Sequence, residues 1–218
     1  MDDIMQQVRL MYDESGEYFS KSREKKYGGK SSNWNATQKY LDRLEPGQSV
    51  LDVGCGSGRL LSGLPENVEY MGIDFSKTLI RIARENYPGR EFVIASMTDG
   101  QVWEKLGKHD AVFMVASLHH LPTRELQLMV LRASKGVLKP GGFLFLSVWN
   151  LWNKKMMEKM GNVKLVAGEV YEIPFQGKSG RHVMAMDERY LRELVVEAGL
   201  EITEISESEN NWVMIAKN

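Results

Sequence analysis

Val50-Leu51-Asp52-Val53-Gly54-Cys55-Gly56-Ser57-Gly58-Arg59-Leu60-Leu61 is the stretch that decides the fold. Four residues of a short buried strand run straight into a turn with three glycines at alternate positions. Glycine tolerates positive φ and lets a ligand approach the backbone with no Cβ in the way. A turn of that kind at the carboxyl end of a first strand is where open α/β sheets bind ligands. Working outward, Val68–Ile73 reads as a second strand ending at Asp74, and Ser76 caps a helix running to Asn86. Glu91–Ala95 is a third strand and Gly100–Leu106 a short helix. Asp110–Ala116 is a strongly apolar strand, and a helix from Pro122 or Thr123 lasts to about Leu138. Lys139-Pro140-Gly141-Gly142 closes that helix before the strand Phe143–Trp149. Strands alternating with helices imply a mostly parallel sheet covered on both faces.

The flanks are less regular. Residues 3 to about 16 have helical spacing ended by Gly16, and Tyr18–Asn33 reads as a basic, glycine-containing loop or lid. A helix from Trp34 to Leu44 stops at Pro46-Gly47. Between Asn150 and Met186 the alternation breaks, which suggests an irregular insertion over one end of the sheet. A helix from Asp187 to Ala198 ends at Gly199. Glu201–Ile205 and Trp212–Ala216 then form an antiparallel pair. The reading is one α/β domain over 1–218: N-terminal helices and lid to residue 47, a ligand-binding core over 48–150, an insertion over 151–186 and a closing helix and strand pair over 187–218.

The 218 residues suit one such domain, with 43% hydrophobic and 26% charged residues. No apolar run approaches the ~20 residues of a membrane span. Met1-Asp2-Asp3-Ile4 lacks the basic-then-apolar pattern of a secretory signal, so cytoplasmic residence is expected. The lone Cys55 excludes an internal disulfide and a cysteine-built zinc site, and no metal is expected. A net charge of -1 neither favours nor excludes nucleic acid, because counterion release depends on local clusters. Two clusters exist: Lys21, Arg23, Lys25, Lys26 and Lys30, and more loosely Lys154, Lys155, Lys159, Lys164, Lys178 and Arg181. Each is a solvated face or a phosphate-binding surface.

Asp74 follows Gly54 by 20 residues, where a carboxylate can accept hydrogen bonds from two ribose hydroxyls. A dinucleotide site shares this feature, but its G-x-G-x-x-G pattern needs glycine where this chain has Arg59. "VLDVGCGSGRLL", "GIDFS" (Gly72 to Ser76), "HDAVFMVASLHHL" (His109 to Leu121) and "LKPGG" together resemble class I S-adenosylmethionine-dependent methyltransferases. The resemblance implies a Rossmann-like, seven-stranded sheet with an antiparallel last strand, and S-adenosyl-L-methionine as cofactor. It implies that Asp52 and the turn Gly54, Cys55, Gly56 and Gly58 hold the methionine part, that Asp74 holds the ribose, and that Phe75 and Met97 flank the adenine. Tyr18 and Ala116 fall beside the cofactor on the same ground. Many relatives carry Asp after the third strand to bind the adenine amino group; this chain has Ser96 there, with Asp99 close by.

"YDESGEYFSKSR" (Tyr12 to Arg23), "SLHHL", "SVWN" and "GRHVMAM" are similar to the tRNA wobble-uridine 5-carboxymethyl methyltransferases, a domain also fused to AlkB-like dioxygenases. That similarity implies tRNA as partner, carboxyl methylation as reaction and, as in the eukaryotic relatives, a small activator protein. A carboxylate acceptor is ionised near neutral pH, so alignment and a cation matter more than a base. An Arg fork suits the task, and Arg23 and Arg181 lie in the two irregular segments. His119 is read as the histidine facing the acceptor, with His120 packed inward, His109 a turn residue and His182 unassigned. Cys55 is read as chosen for small size. The rival readings are a methyltransferase for a small molecule and a silent methyltransferase fold serving as a binding module. Intact Asp52, Gly54, Gly56, Gly58 and Asp74 argue against the latter.

Overall fold

A computed structural model describes residues 2–27, 35–161, 163–175, 178–208 and 210–218, without the side chains of 2, 23–27, 35, 155, 159, 160, 178 and 179. The strands of the main sheet are β1 (Ser49–Val53), β2 (Glu69–Asp74), β3 (Glu91–Ile94), β4 (His109–Val115), β5 (Leu138–Trp149), β9 (Glu201–Ser208) and β10 (Asn211–Lys217). They lie in the order β3-β2-β1-β4-β5-β10-β9. Strands β1 to β5 pair in parallel, and β10 runs antiparallel to both neighbours, between β5 and the edge strand β9. The order reverses between β1 and β4, the switch point at which such sheets bind ligands.

Alternation of side chains divides the core. Leu51, Val112, Met114, Leu144, Leu146 and Met214 pack on one face with the helices α5 (Arg124–Gly136) and α7 (Glu188–Glu197). Val50, Ala111, Phe113, Phe145, Val213 and Ile215 face the other way, onto α2 (Asn35–Leu41) and α3 (Lys77–Asn86). Both faces are apolar because both are covered. Ser76, Thr123 and Asp187 cap α3, α5 and α7 through their side-chain oxygens. Asp99 does the same for the short helix α4 (Gly100–Trp103).

Three expectations are corrected. The first helix does not end at Gly16: α1 spans Asp2–Tyr27, so the expected loop is helical through Tyr27, and the remainder to Asn33 lies outside the described residues. Gly16 serves close packing instead. A Cβ there would come 2.8 Å from Thr78 Cγ2 of α3, and the Thr78 hydroxyl donates to the Asp13 carbonyl. Lys139–Gly142 does not separate helix from strand, because β5 already starts at Leu138 opposite His109, with a register shift before Ala111. The 151–186 segment is not irregular. It holds α6 (Lys154–Met160) and an antiparallel sheet of β6 (Lys164–Ala167), β7 (Val170–Phe175) and β8 (Lys178–Met184). Trp149, Leu151, Met156, Ile173, Val183 and Ala185 form its own small core at the end of β5.

Candidate active site

A cavity of about 480 Å³ opens over the carboxyl ends of β1, β2, β4 and β5. That volume lies within the range of small-molecule and cofactor sites, ~300–1,000 Å³. One end is built by the glycine turn, Asp74 and Phe75; the other by Trp149, the β7–β8 ribbon and the Asn210-Asn211 corner. Helix α1 forms a wall, with Tyr12, Tyr18, Phe19 and Ser22 on the cavity.

At the first end the backbone is set by close approach. Gly54 has φ +77, and a Cβ there would lie 2.5 Å from the Ser117 Cβ. Ser117 is itself fixed, its hydroxyl donating to the Val53 carbonyl at 2.9 Å. Ala116, also on the cavity, adopts φ 54, a conformation rare for a residue with a Cβ and concentrated at functional sites. Asp74 accepts from the Gly56 and Ser76 amides at 2.9 and 2.8 Å. Asp52 accepts from the Tyr70 hydroxyl of the neighbouring strand at 3.0 Å. Both carboxyls are buried, at 3% exposure for Asp52 and 8% for Asp74. Burial pushes Asp52 up to about 7, against the Tyr70 hydrogen bond, and Asp74 up to about 6, against its two amide donors. Two buried acids on one cavity suit a ligand carrying positive charge and hydroxyl donors. Cys55 packs against Gly72, where a Cβ would fall 2.8 Å from its Sγ, and burial holds its thiol well up, so the residue acts by size.

The other end of the cavity is aromatic and cationic. The Arg181 guanidinium lies 4.6 Å over the Trp149 ring and 4.9 Å over that of Phe175. Arg181 pairs with Ile173 across β7–β8, and Gly180 beside it packs so closely that a Cβ would sit 2.0 Å from the Ile173 carbonyl oxygen. Tyr18, 55% exposed, meets Phe175 edge-on, so α1 and the ribbon touch over the cavity.

His119 and His120 exchange the parts expected of them. Leu118–His120 form a 3-10 turn, which sends successive side chains about 120° apart. His119 is at 0% exposure, 4.8 Å from the Trp149 ring and accepting from the Trp149 amide, and it does not line the cavity. His120 does line it: Nε2 bonds the Tyr12 hydroxyl at 3.0 Å and Nδ1 the His182 carbonyl at 2.9 Å. A carbonyl only accepts, so Nδ1 carries the proton and Nε2 accepts from Tyr12. Burial lowers His120 to about 4, which leaves a neutral ring at pH 7. Ser96 and Gly58 are off the cavity. The Ser96 hydroxyl bonds that of Thr98, and a Cβ on Gly58, at φ +79, would come 3.1 Å from Tyr87 and 3.2 Å from Phe92. Arg23 lies on α1, with its side chain outside the described residues. Sequence reasoning did not assign Tyr12, Phe19, Trp149, Ile173 or Asn211. Tyr12, Phe19 and Trp149 sat within quoted blocks with no stated role.

The family model of a methyltransferase domain matches residues 30–205. The chain belongs to that family. An Arabidopsis thaliana tRNA (carboxymethyluridine(34)-5-O)-methyltransferase is 33% identical over 142 residues, 65% of this chain and 32% of the relative. The chain thus matches about a third or less of the length of such curated relatives. A Clostridium acetobutylicum S-adenosylmethionine-dependent methyltransferase superposes with TM-score 0.70 at 13% identity, covering 92% of this chain and 98% of that one. A Haloferax volcanii methyltransferase, solved in complex with the activator Trm112, gives TM-score 0.68 at 16% identity over 94% and 96% of the two chains. The fold is that of the S-adenosylmethionine-dependent methyltransferases, and the cofactor is S-adenosylmethionine.

The buried carboxyls Asp52 and Asp74 are expected to make cofactor binding depend on pH. Each acid has its folded value raised, so the ligand-free fold holds protons that the unfolded chain has lost. Its stability therefore falls as pH rises from about 4 through 7. A cationic ligand favours the ionised acids, so affinity for S-adenosylmethionine is expected to rise between pH 5.5 and 8. About one proton is released per cofactor bound near pH 6. Titration calorimetry in buffers of different ionisation enthalpy measures that proton. A dissociation constant flat over this range refutes the assignment.

Proposed function

We propose that this methyltransferase esterifies the carboxymethyl group of a modified wobble uridine in tRNA. The observation that carries the reading is Arg181, held over Trp149 and Phe175 on the cavity wall remote from the glycine turn. The similarity to the Arabidopsis thaliana enzyme supports the same acceptor.

S-adenosylmethionine supplies an electrophilic methyl on a sulfonium. Asp52, Asp74 and the glycine turn bind and orient it. A carboxylate acceptor is ionised at pH 7 and attacks with no base. Arg181 supplies a planar fork for its two oxygens, kept rigid by the rings on which it lies. His120, neutral and fixed by the His182 carbonyl, orients the Tyr12 hydroxyl and so locks α1 over the site. Arg23 belongs to the proposal as a second cation from α1.

Transfer of tritium from labelled cofactor to carboxymethyl-modified tRNA tests the reading, run with and without a Trm112-type activator because the Haloferax volcanii neighbour was solved with one. Label in tRNA is the expected result, and label only in small molecules overturns it. Arg181→Lys keeps the charge but not the fork and is expected to slow single-turnover transfer by roughly 100-fold, with cofactor affinity retained. With saturating cofactor the wild-type rate should be level between pH 6 and 9. A tenfold rise per pH unit there would mark a base-assisted acceptor instead.

A further inference from the structure

Asn211 opens β10 and pairs with Trp149 of β5, so the two α-carbons are neighbours about 5 Å apart. It is 7% exposed and lines the cavity, and its Oδ1 has no hydrogen-bond partner among the described residues. Buried polar atoms are nearly always paired in native folds, and an exception at a cavity wall points to a ligand. Asn210 reinforces the corner, its carbonyl accepting from the Asn150 amide at 2.9 Å just beyond Trp149. The acceptor end therefore offers two kinds of group on adjacent strands: the Arg181 cation over the Trp149 ring, and a neutral carboxamide beside that ring's backbone.

A carboxamide presents one acceptor and two donors in a plane, and turning about its last side-chain bond chooses which faces the ligand. The imide edge of a uracil presents N3–H next to a carbonyl oxygen, the complementary pair. That carbonyl is on the ring carbon adjacent to the one bearing the carboxymethyl arm. A ring lying between Arg181 and Asn211 can therefore give its arm to the cation and its imide edge to the amide. Resting on the acceptor proposed above, we propose that the Asn211 carboxamide is the specificity-determining group for the uracil ring, taking its N3–H on Oδ1 and donating to the adjacent carbonyl. A carboxylate on an aliphatic chain, or on a ring without that edge, leaves Asn211 unsatisfied and is a poor substrate.

The experiment compares two RNA stem-loops, one with 5-carboxymethyluridine and one with its N3-methyl derivative, using the wild type and Asn211→Leu. The N3-methyl group removes the ring's donor with the enzyme unaltered. Wild type should lose roughly 10- to 100-fold in kcat/KM on the methylated ring, and Asn211→Leu should lose as much on the unmethylated one, mostly in KM. The two changes remove the same interaction, so combining them should add little further loss. Cofactor affinity of Asn211→Leu, measured by calorimetry, should match wild type. Equal wild-type activity on both stem-loops overturns the inference and leaves the acceptor reading standing, as do losses that simply multiply. Wild type inactive on both overturns the acceptor reading and the inference together. If Asn211→Leu does not fold, the wild-type comparison alone decides.

Discussion

Gly54→Ala binds S-adenosylmethionine at least ~100-fold more weakly than wild type, the expected outcome of two independent costs. At φ +77 a residue with a Cβ is strained by about 1–2 kcal/mol. The new methyl would also sit 2.5 Å from Ser117 Cβ, and overpacking of that kind costs about 1–3 kcal/mol. Ser117 cannot simply rotate aside, because the clash is with its Cβ and its hydroxyl is bonded to the Val53 carbonyl. Relief must come from the turn itself, which carries the Gly56 amide off Asp74. About 3 kcal/mol at the binding turn corresponds to a loss of roughly 100-fold or more. Calorimetry reads the affinity, and far-UV circular dichroism separates this loss from unfolding. An affinity within threefold of wild type would show that the turn does not hold the cofactor.

Gly180→Ala should slow transfer by about 100-fold, by a different route, and spare the cofactor. The added Cβ would lie 2.0 Å from the Ile173 carbonyl oxygen and 3.0 Å from the Pro174 nitrogen, both backbone atoms. Strand β8 must then move off β7, and the next residue, Arg181, moves with it away from Trp149 and Phe175. A displacement of about 1 Å at a positioning group costs about 100-fold in rate. Asp52 and Asp74 belong to the other sheet and Gly54 to the turn that follows its β1, so affinity for S-adenosylmethionine should change little. Gly100→Ala is the control: its Cβ meets nothing within 4 Å, and neither rate nor affinity should change. Single-turnover methylation by Gly180→Ala at the wild-type rate would take the ribbon out of the acceptor site.

The sequence by itself determined the cofactor half. Strand, glycine turn and acidic strand end occur within 25 residues, Val50 to Asp74, and local chemistry sets each. Positive φ requires glycine, a buried strand requires an apolar run, and Ser76 caps the helix that follows. Long-range packing was not written in any local pattern. Gly16 looked like a helix stop because a glycine that ends a helix and one that admits a neighbouring helix read alike; only Thr78, 62 positions along the chain, tells them apart. The 151–186 segment looked irregular because β6 has every residue exposed and so lacks the apolar alternation of a half-buried strand. The choice between His119 and His120 depended on a 3-10 turn whose two side chains diverge, one into the Trp149 ring and the other to Tyr12. Arg181 and Asn211, 30 residues apart, are brought to one cavity end by Trp149, whose ring carries the first and whose backbone pairs with the second. Sequence determines what a residue can do from its own atoms and near neighbours. Which acceptor-side groups face the same space is decided by sheet pairing between distant segments, and that information exists only in the folded chain.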